Sequence, residues 1–154
     1  MSANDELVRL TATEAVARLR RREISPLELI DAAAARIEAV DGKVNALPIR
    51  FFDTARATAR RFMAQKPPRD PPPGWLCGLP VAAKDYNDVA GQRTTYGSPI
   101  FADAVASAND HTVATLEASG AIFMAKSNVP EFAGSNTFNP VFGATRNPWN
   151  LKMT

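Results

Sequence analysis

The chain has 154 residues, 45% hydrophobic and 22% charged, with a formal net charge of +2. That is enough material for one globular domain with a real core. It excludes wholesale disorder and the strong basic excess by which nucleic-acid or membrane-surface proteins neutralise phosphates.

The single cysteine, Cys77, cannot close an internal disulfide, which fits a reducing compartment. No apolar run approaches the ~20 residues of a membrane span, and the opening "MSANDELVRL" lacks the apolar centre of a secretory signal. A cytoplasmic location is expected.

Charge, glycine and proline are unevenly spread. Residues 1–66 carry 12 lysines and arginines against 9 acids, whereas residues 67–154 carry 6 against 7. The stretch "KPPRDPPPG" holds five of the chain's 12 prolines and cannot continue a helix, because proline lacks the N–H and clashes with the preceding turn. This divides the chain into a helical section (1–66), a proline-rich linker (67–75) and a loop-rich α/β section (76–154).

In the helical section, "TATEAVARLRRREI" opens with a capping-box pattern, Thr11 with Glu14, and places Val16, Leu19 and Ile24 on an apolar face. A second box follows, with Ser25 at the N-cap, Pro26 at the first helical position and Glu28 two residues on. Leu29, Ile30, Ala33, Ile37 and Val40 form the stripe of that helix, which Asp41-Gly42 is expected to end. A third helix is predicted from about Asp53 to Gln65. The runs Arg20-Arg21-Arg22 and Arg60-Arg61 read as solvent-facing sides of amphipathic helices rather than a nucleic-acid patch.

After the linker the period changes. "GLPVAAK" is a short apolar run, "DHTVATLEASG" reads as a helix with Asp110 at its N-cap and Gly120 at its end, and "AIFMAK" is a second apolar run. Strand, loop, helix, strand predicts a βαβ unit with parallel strands covered on both faces. In open parallel sheets chemistry collects at the carboxyl ends of strands, and Lys84 and Lys126 stand at those ends.

Lys84 has two readings. Facing inward, it would be desolvated, which favours the neutral amine and suits a base. Alternatively its strand simply emerges into solvent. His111, the only histidine, lies at a helix start and reads as structural, which argues against a Ser-His-Asp triad within this chain. No dinucleotide fingerprint, P-loop or zinc-protease motif occurs, and Cys77 has no acidic or histidine cluster around it to suggest a metal site.

The blocks "GLPVAAKD", "TTYGS", "VATLEASGAIFMAKSNVPEF" and "SNTFNPVFGATRNPWN", in this order and spacing, resemble the N-terminal part of the amidase signature family. The resemblance covers about residues 10–154. It implies an α/β fold: N-terminal helices, then the first part of a mixed central sheet flanked by helices. It also implies hydrolysis of small amides, less often esters, by a Ser, cis-Ser, Lys arrangement without cofactor or metal. Lys84 then takes the place of the family's catalytic lysine, accepting a proton from a bridging serine that has taken one from the nucleophile.

The resemblance further implies that Phe132, Ala133 and Gly134 line the substrate, in a loop slightly shorter than in relatives, and that Lys126 is structural. Neither family serine has a counterpart here; Ser98, Ser107, Ser119, Ser127 and Ser135 match neither the glycine-serine-rich signature of the bridging serine nor the motif of the nucleophile. These residues are therefore expected to be a front fragment whose partner is the remainder of the same polypeptide, with no nucleic-acid or membrane partner and with room for a homodimer. Two alternatives stand beside this reading: a fragment of the A component of the glutamine-hydrolysing, tRNA-dependent amidotransferase, and a non-catalytic binding module.

Overall fold

The computed structural model describes residues 3–65, 68 and 71–154, so four residues around the start of the expected linker (Lys66, Pro67, Arg69 and Asp70) lie outside the described residues. The elements, in chain order, are helices α1 (Ala3–Leu7), α2 (Ala12–Arg20) and α3 (Pro26–Val44), strand β1 (Ile49–Arg50), helix α4 (Phe52–Ala64), strand β2 (Pro80–Lys84), helix α5 (His111–Ala118), and strands β3 (Ile122–Ser127), β4 (Phe138–Asn139) and β5 (Gly143–Ala144). Short 3-10 turns occupy Pro99–Phe101 and Glu131–Ala133. The architecture is mixed α/β.

Both expected capping boxes form. The Thr11 N–H donates to Glu14 Oε2 at 2.8 Å and Glu14 N–H returns to Thr11 Oγ1 at 3.2 Å; Ser25 and Glu28 repeat the exchange at 2.7 and 3.2 Å. Each box satisfies donors that a helix start otherwise leaves orphaned. On α2 the buried residues are Ala15 and Leu19, with Val16 only half-buried.

Helix α3 runs past Asp41-Gly42 to Val44. The stop falls at Asn45, whose φ of 58° takes the left-handed conformation that asparagine tolerates. Asp41 does not break the helix but is buried beneath its end, where its carboxylate accepts from the N–H groups of Ala46 (2.7 Å) and Leu47 (3.1 Å) and pairs with Arg50 at 2.8 Å.

Three strands form one sheet in the order β1-β3-β2. β1 lies antiparallel to β3, with Ile49 opposite Lys126. β2 and β3 run parallel: Ile122 N–H donates to Leu79 O at one end and Asp85 N–H to Ser127 O at the other. The sheet is therefore mixed. β3 is buried from Ile122 to Lys126, as its unbroken apolar run implies. β2 is not covered on both faces: Ala82, Lys84 and Tyr86 are exposed while Ala83 and Asp85 are buried.

The chain divides into two compact units, each built from three segments. The first comprises Met1–Ile37, Phe51–Val81 and Leu116–Met124. Its core joins Ala15, Leu19 and Leu29 with the half-buried Leu10, Ile24, Cys77 and Leu79. Arg56 on α4 pairs with Asp31 on α3 at 2.7 Å, and Phe62 stacks on Trp75. Gly120, with φ of 84°, closes the helix-to-strand turn against Trp75, where an added Cβ would come within 3.0 Å of the indole.

The second unit comprises Glu38–Arg50, Ala82–Thr115 and Ala125–Thr154. Its framework is a set of buried amides. Asn139 Nδ2 donates to Asn128 Oδ1 (2.6 Å) and Val129 O (2.7 Å), and its Oδ1 accepts from the N–H groups of Val141 and Phe142. Asn128 Nδ2 in turn reaches Gly143 O and Thr145 Oγ1, fixing the β4–β5 hairpin. Fully satisfied buried amides of this kind specify one loop conformation.

Candidate active site

The chemistry-bearing residues gather where β2 and β3 end in the second unit. Asp85, one residue past β2, is fully buried, and all its polar groups are engaged. Its carboxylate pairs with Lys126 Nζ at 3.0 Å and accepts from the Thr95 N–H and hydroxyl. Its backbone N–H donates to Ser127 O at 3.1 Å, and its carbonyl accepts from Tyr96 N–H at 3.0 Å.

Lys126 is also fully buried. Its ammonium has three donors and three acceptors: Asp85 Oδ1, Arg93 O at 2.7 Å and Thr94 Oγ1 at 2.6 Å. Burial pushes its amine below the ordinary lysine value, and Asp85 opposes that push. Thr94 and Thr95 of the "TTYGS" block thus serve this pair. The glycine of the same block, Gly97 (φ 66°), sits where a Cβ would lie 3.0 Å from Val129 O and 3.1 Å from Asn139 Cβ, so a side chain there would be both strained and crowded.

Lys84 faces the other way. Strand alternation that buries Ala83 and Asp85 sends Lys84 to the exposed face, where its Nζ lies 5.8 Å from the centroid of the Tyr86 ring, within cation–π range. The inward, desolvated setting considered for Lys84 belongs instead to Lys126, and the solvent-facing reading describes Lys84 in this chain. The physical reason is register: β2 can bury only alternate residues, and Asp85 holds the buried position.

Phe132, Ala133 and Gly134 are all exposed, on the turn after "NVPE". Phe132 and Ala133 have left-handed φ values of 48° and 62°, costly for residues with a Cβ. The Phe132 ring stacks on Tyr96 and meets Phe101 edge-on. Tyr96 joins this turn to the end of β2, because its N–H donates to Asp85 O and its carbonyl accepts from Phe132 N–H at 2.8 Å. Its phenol is held above the ordinary tyrosine value by burial and by the carboxylates of Asp88, Asp110 and Asp85.

Asp110 caps α5, accepting Val113 N–H at 2.7 Å as expected, and its other oxygen takes Asn87 Nδ2 at 2.6 Å. Ser98, at the end of the "TTYGS" block, is fully buried, and its hydroxyl has no hydrogen-bond partner among the described residues. Among the described residues no cluster of three or more His, Cys, Asp or Glu could hold a metal ion, and no helix is long and apolar enough to cross a membrane. The first unit separately carries an open apolar cavity of about 500 Å³ lined by Val16, Ala17, Trp75 and Leu76, with Arg20 and Arg21 at its edge.

The sequence pattern singled out Lys84 and Phe132–Gly134 but not the residues that link them. Asp85, Thr95 and Tyr96 stood inside motifs already marked, "KD" and "TTYGS", and were readable as a group only through their shared spacing.

A family model described as Amidase matches residues 28–154. The chain is 42% identical over 147 residues to the A component of glutamyl-tRNA(Gln) amidotransferase from Roseiflexus castenholzii, and 43% identical over 152 residues to the same component from Geobacter metallireducens, covering 95% and 96% of this chain. It spans about 30% of the length of these curated relatives.

Among solved structures, 6-aminohexanoate cyclic dimer hydrolase superposes with a TM-score of 0.78 at 30% identity, over 92% of this chain and 28% of that one. A fatty acid amide hydrolase superposes with a TM-score of 0.85 over 98% of this chain and 27% of that one; at 22% identity it supports the fold alone. With the family model matched over most of its length and relatives above 40% identity along nearly all of it, the chain belongs to the amidase signature family.

Proposed function

We propose that this chain is the N-terminal part of a hydrolase that cleaves a carboxylic amide, less often an ester, with Lys84 as general base and both serines on polypeptide beyond residue 154. The observation that carries this is the exposed end of β2. Lys84 projects from the carboxyl end of a parallel strand, from a face bare of cover, with the Phe132–Gly134 turn tied to the same strand end through Tyr96. Covering that face would place the Lys84 amine against whatever packs there.

Neutral Lys84 takes a proton from the bridging serine, which takes one from the nucleophilic serine as that oxygen attacks the amide carbonyl. Backbone N–H groups hold the tetrahedral oxyanion. Collapse expels the amine, which leaves with the proton returned through the bridging serine, and water hydrolyses the acyl-serine. Phe132, Ala133 and Gly134 bound the acyl or amine side of the substrate. No metal or cofactor takes part, and the reaction is assigned to the cytoplasm.

A second reading has specific support: the curated relatives at about 42% identity are A components of the amidotransferase. In that case the amide is glutamine and the released ammonia passes to a tRNA-linked acid, which requires partner proteins. Turnover of glutamine only in the presence of co-purifying partners selects this reading; turnover of small amides by the single polypeptide selects the first.

The test is covalent labelling. A fluorophosphonate should label one serine of the complete polypeptide, outside residues 1–154, while the 154-residue chain alone stays unlabelled and inactive on amides. A labelled serine within residues 1–154 contradicts the mechanism, and a complete polypeptide that never labels points to a binding module.

A further inference from the structure

We propose that Asp85 and Lys126 are positioning residues for Lys84: their buried ion pair fixes the end of β2 and keeps the Asp85 charge from acting on the neighbouring Lys84 amine. This rests on the reading of Lys84 as general base.

The geometry points this way because residue 85 is held at every polar atom. Both carboxylate oxygens, the N–H and the carbonyl have partners on β3, on the Thr94–Tyr96 segment, or on both. Lys84 is joined to that fixed residue by one peptide bond, and strand alternation then sets the direction of its side chain. Side chains that are themselves clamped by buried hydrogen bonds hold a catalytic group to the tolerance that chemistry needs.

Charge acts beside position. A carboxylate one residue from Lys84 favours the ammonium form, which cannot accept a proton. Lys126 neutralises that carboxylate from within the fold, and its remaining donors are spent on Arg93 O and Thr94 Oγ1. The other charged groups acting on Lys126 are the carboxylates of Asp88 and Asp110. The Arg93 guanidinium turns away, onto Ala102 O and the Phe142 ring, and Lys84 itself faces the Tyr86 ring.

The experiment uses the complete polypeptide and a chromogenic amide, with kcat, KM and the pH at which kcat rises measured for four variants. Lys126→Gln leaves the Asp85 carboxylate unpaired; kcat should fall about 10²-fold with KM within about threefold, and the rise should move to higher pH. Asp85→Asn leaves the Lys126 cation unpaired, and the rise should move to lower pH. Thr95→Val removes one donor from Asp85 without changing any charge; it is expected to fold and to give a smaller upward shift.

Opposite shifts are the signature, since a role confined to stability would lower the amount of folded enzyme and leave the pH profile in place. Unmoved profiles in Thr95→Val and in whichever charge variant folds overturn the assignment. Lys84→Ala, run alongside, separates the two claims: if it retains turnover the base assignment itself falls, whereas if it is inactive and the other profiles are unmoved only the positioning role falls.

Discussion

Phe132 and Tyr96 are joined twice: the Phe132 N–H donates to the Tyr96 carbonyl at 2.8 Å, and the two rings stack with centroids 6.3 Å apart. Because Tyr96 also donates to Asp85 O, the exposed turn and the end of β2 share one hydrogen-bonded connector. The turn holds its shape at a cost, since Phe132 and Ala133 both sit in left-handed backbone.

That cost is measurable. A left-handed residue with a Cβ is disfavoured by about 1–2 kcal/mol, of which glycine's greater freedom in the unfolded chain returns part. Ala133→Gly should therefore stabilise the chain by about 0.5 kcal/mol in urea denaturation. A loss of stability would mean that the Ala133 methyl makes contacts worth more than the strain.

Gly97 gives the opposite case. Its φ of 66° strains any side chain, and the 3.0 Å approach of Val129 O to the Cβ position crowds one. Gly97→Ala should cost about 2 kcal/mol, combining left-handed strain with displacement of the Asn139 framework. A denaturation midpoint equal to that of the parent would show that the close approach is not maintained in solution.

The helical section carries a pH-dependent term. The Glu28 carboxyl is held below its ordinary value of 4.5, first by the Ser25 hydroxyl and then by the Ser25 N–H. A carboxyl depressed on folding contributes stability above its unfolded value and loses it as pH falls through the folded one. Ser25→Ala should cost about 1 kcal/mol at about pH 7, and the gap to the parent should narrow below about pH 4, as Glu28 protonates. A gap independent of pH would remove Glu28 from the cap.

Much of this fold was legible because its signals are local. Thr11 with Glu14, Ser25 with Glu28, and Asp110 three residues before Val113 are capping patterns whose partners lie within one turn, and each formed as read. The apolar run of β3 was equally plain, since a strand buried on both faces needs no alternation. Two-residue strands such as Ile49–Arg50 and Phe138–Asn139 are too short to show a period, and Ile49–Arg50 depends besides on a partner far along the chain, Ala125 and Lys126.

The site divides in the same way. Lys84 and Lys126 are both lysines at the ends of apolar runs, and nothing local says which is buried. That depends on Asp85, Thr94 and the Arg93 carbonyl, which reach Lys126 only once the strands pair. The stop of α3 at Asn45 rather than Gly42 has a similar origin. Asp41 is drawn under the helix end by the N–H groups of Ala46 and Leu47 and by Arg50, contacts that exist only after the chain has turned.

The most direct measurement of the Lys84 assignment is the turnover of Lys84→Ala and Lys84→Arg in the complete polypeptide, with thermal stability measured on the same samples. Removing the proton acceptor while leaving nucleophile and oxyanion donors in place should lower kcat by about 10²–10⁴-fold with little change in melting temperature. Lys84→Arg should fail almost as badly, since a guanidinium stays charged at working pH and cannot accept a proton. Near-normal turnover of Lys84→Arg in a protein of unchanged stability would mean that Lys84 supplies only charge or a hydrogen bond, and the general-base role would be wrong.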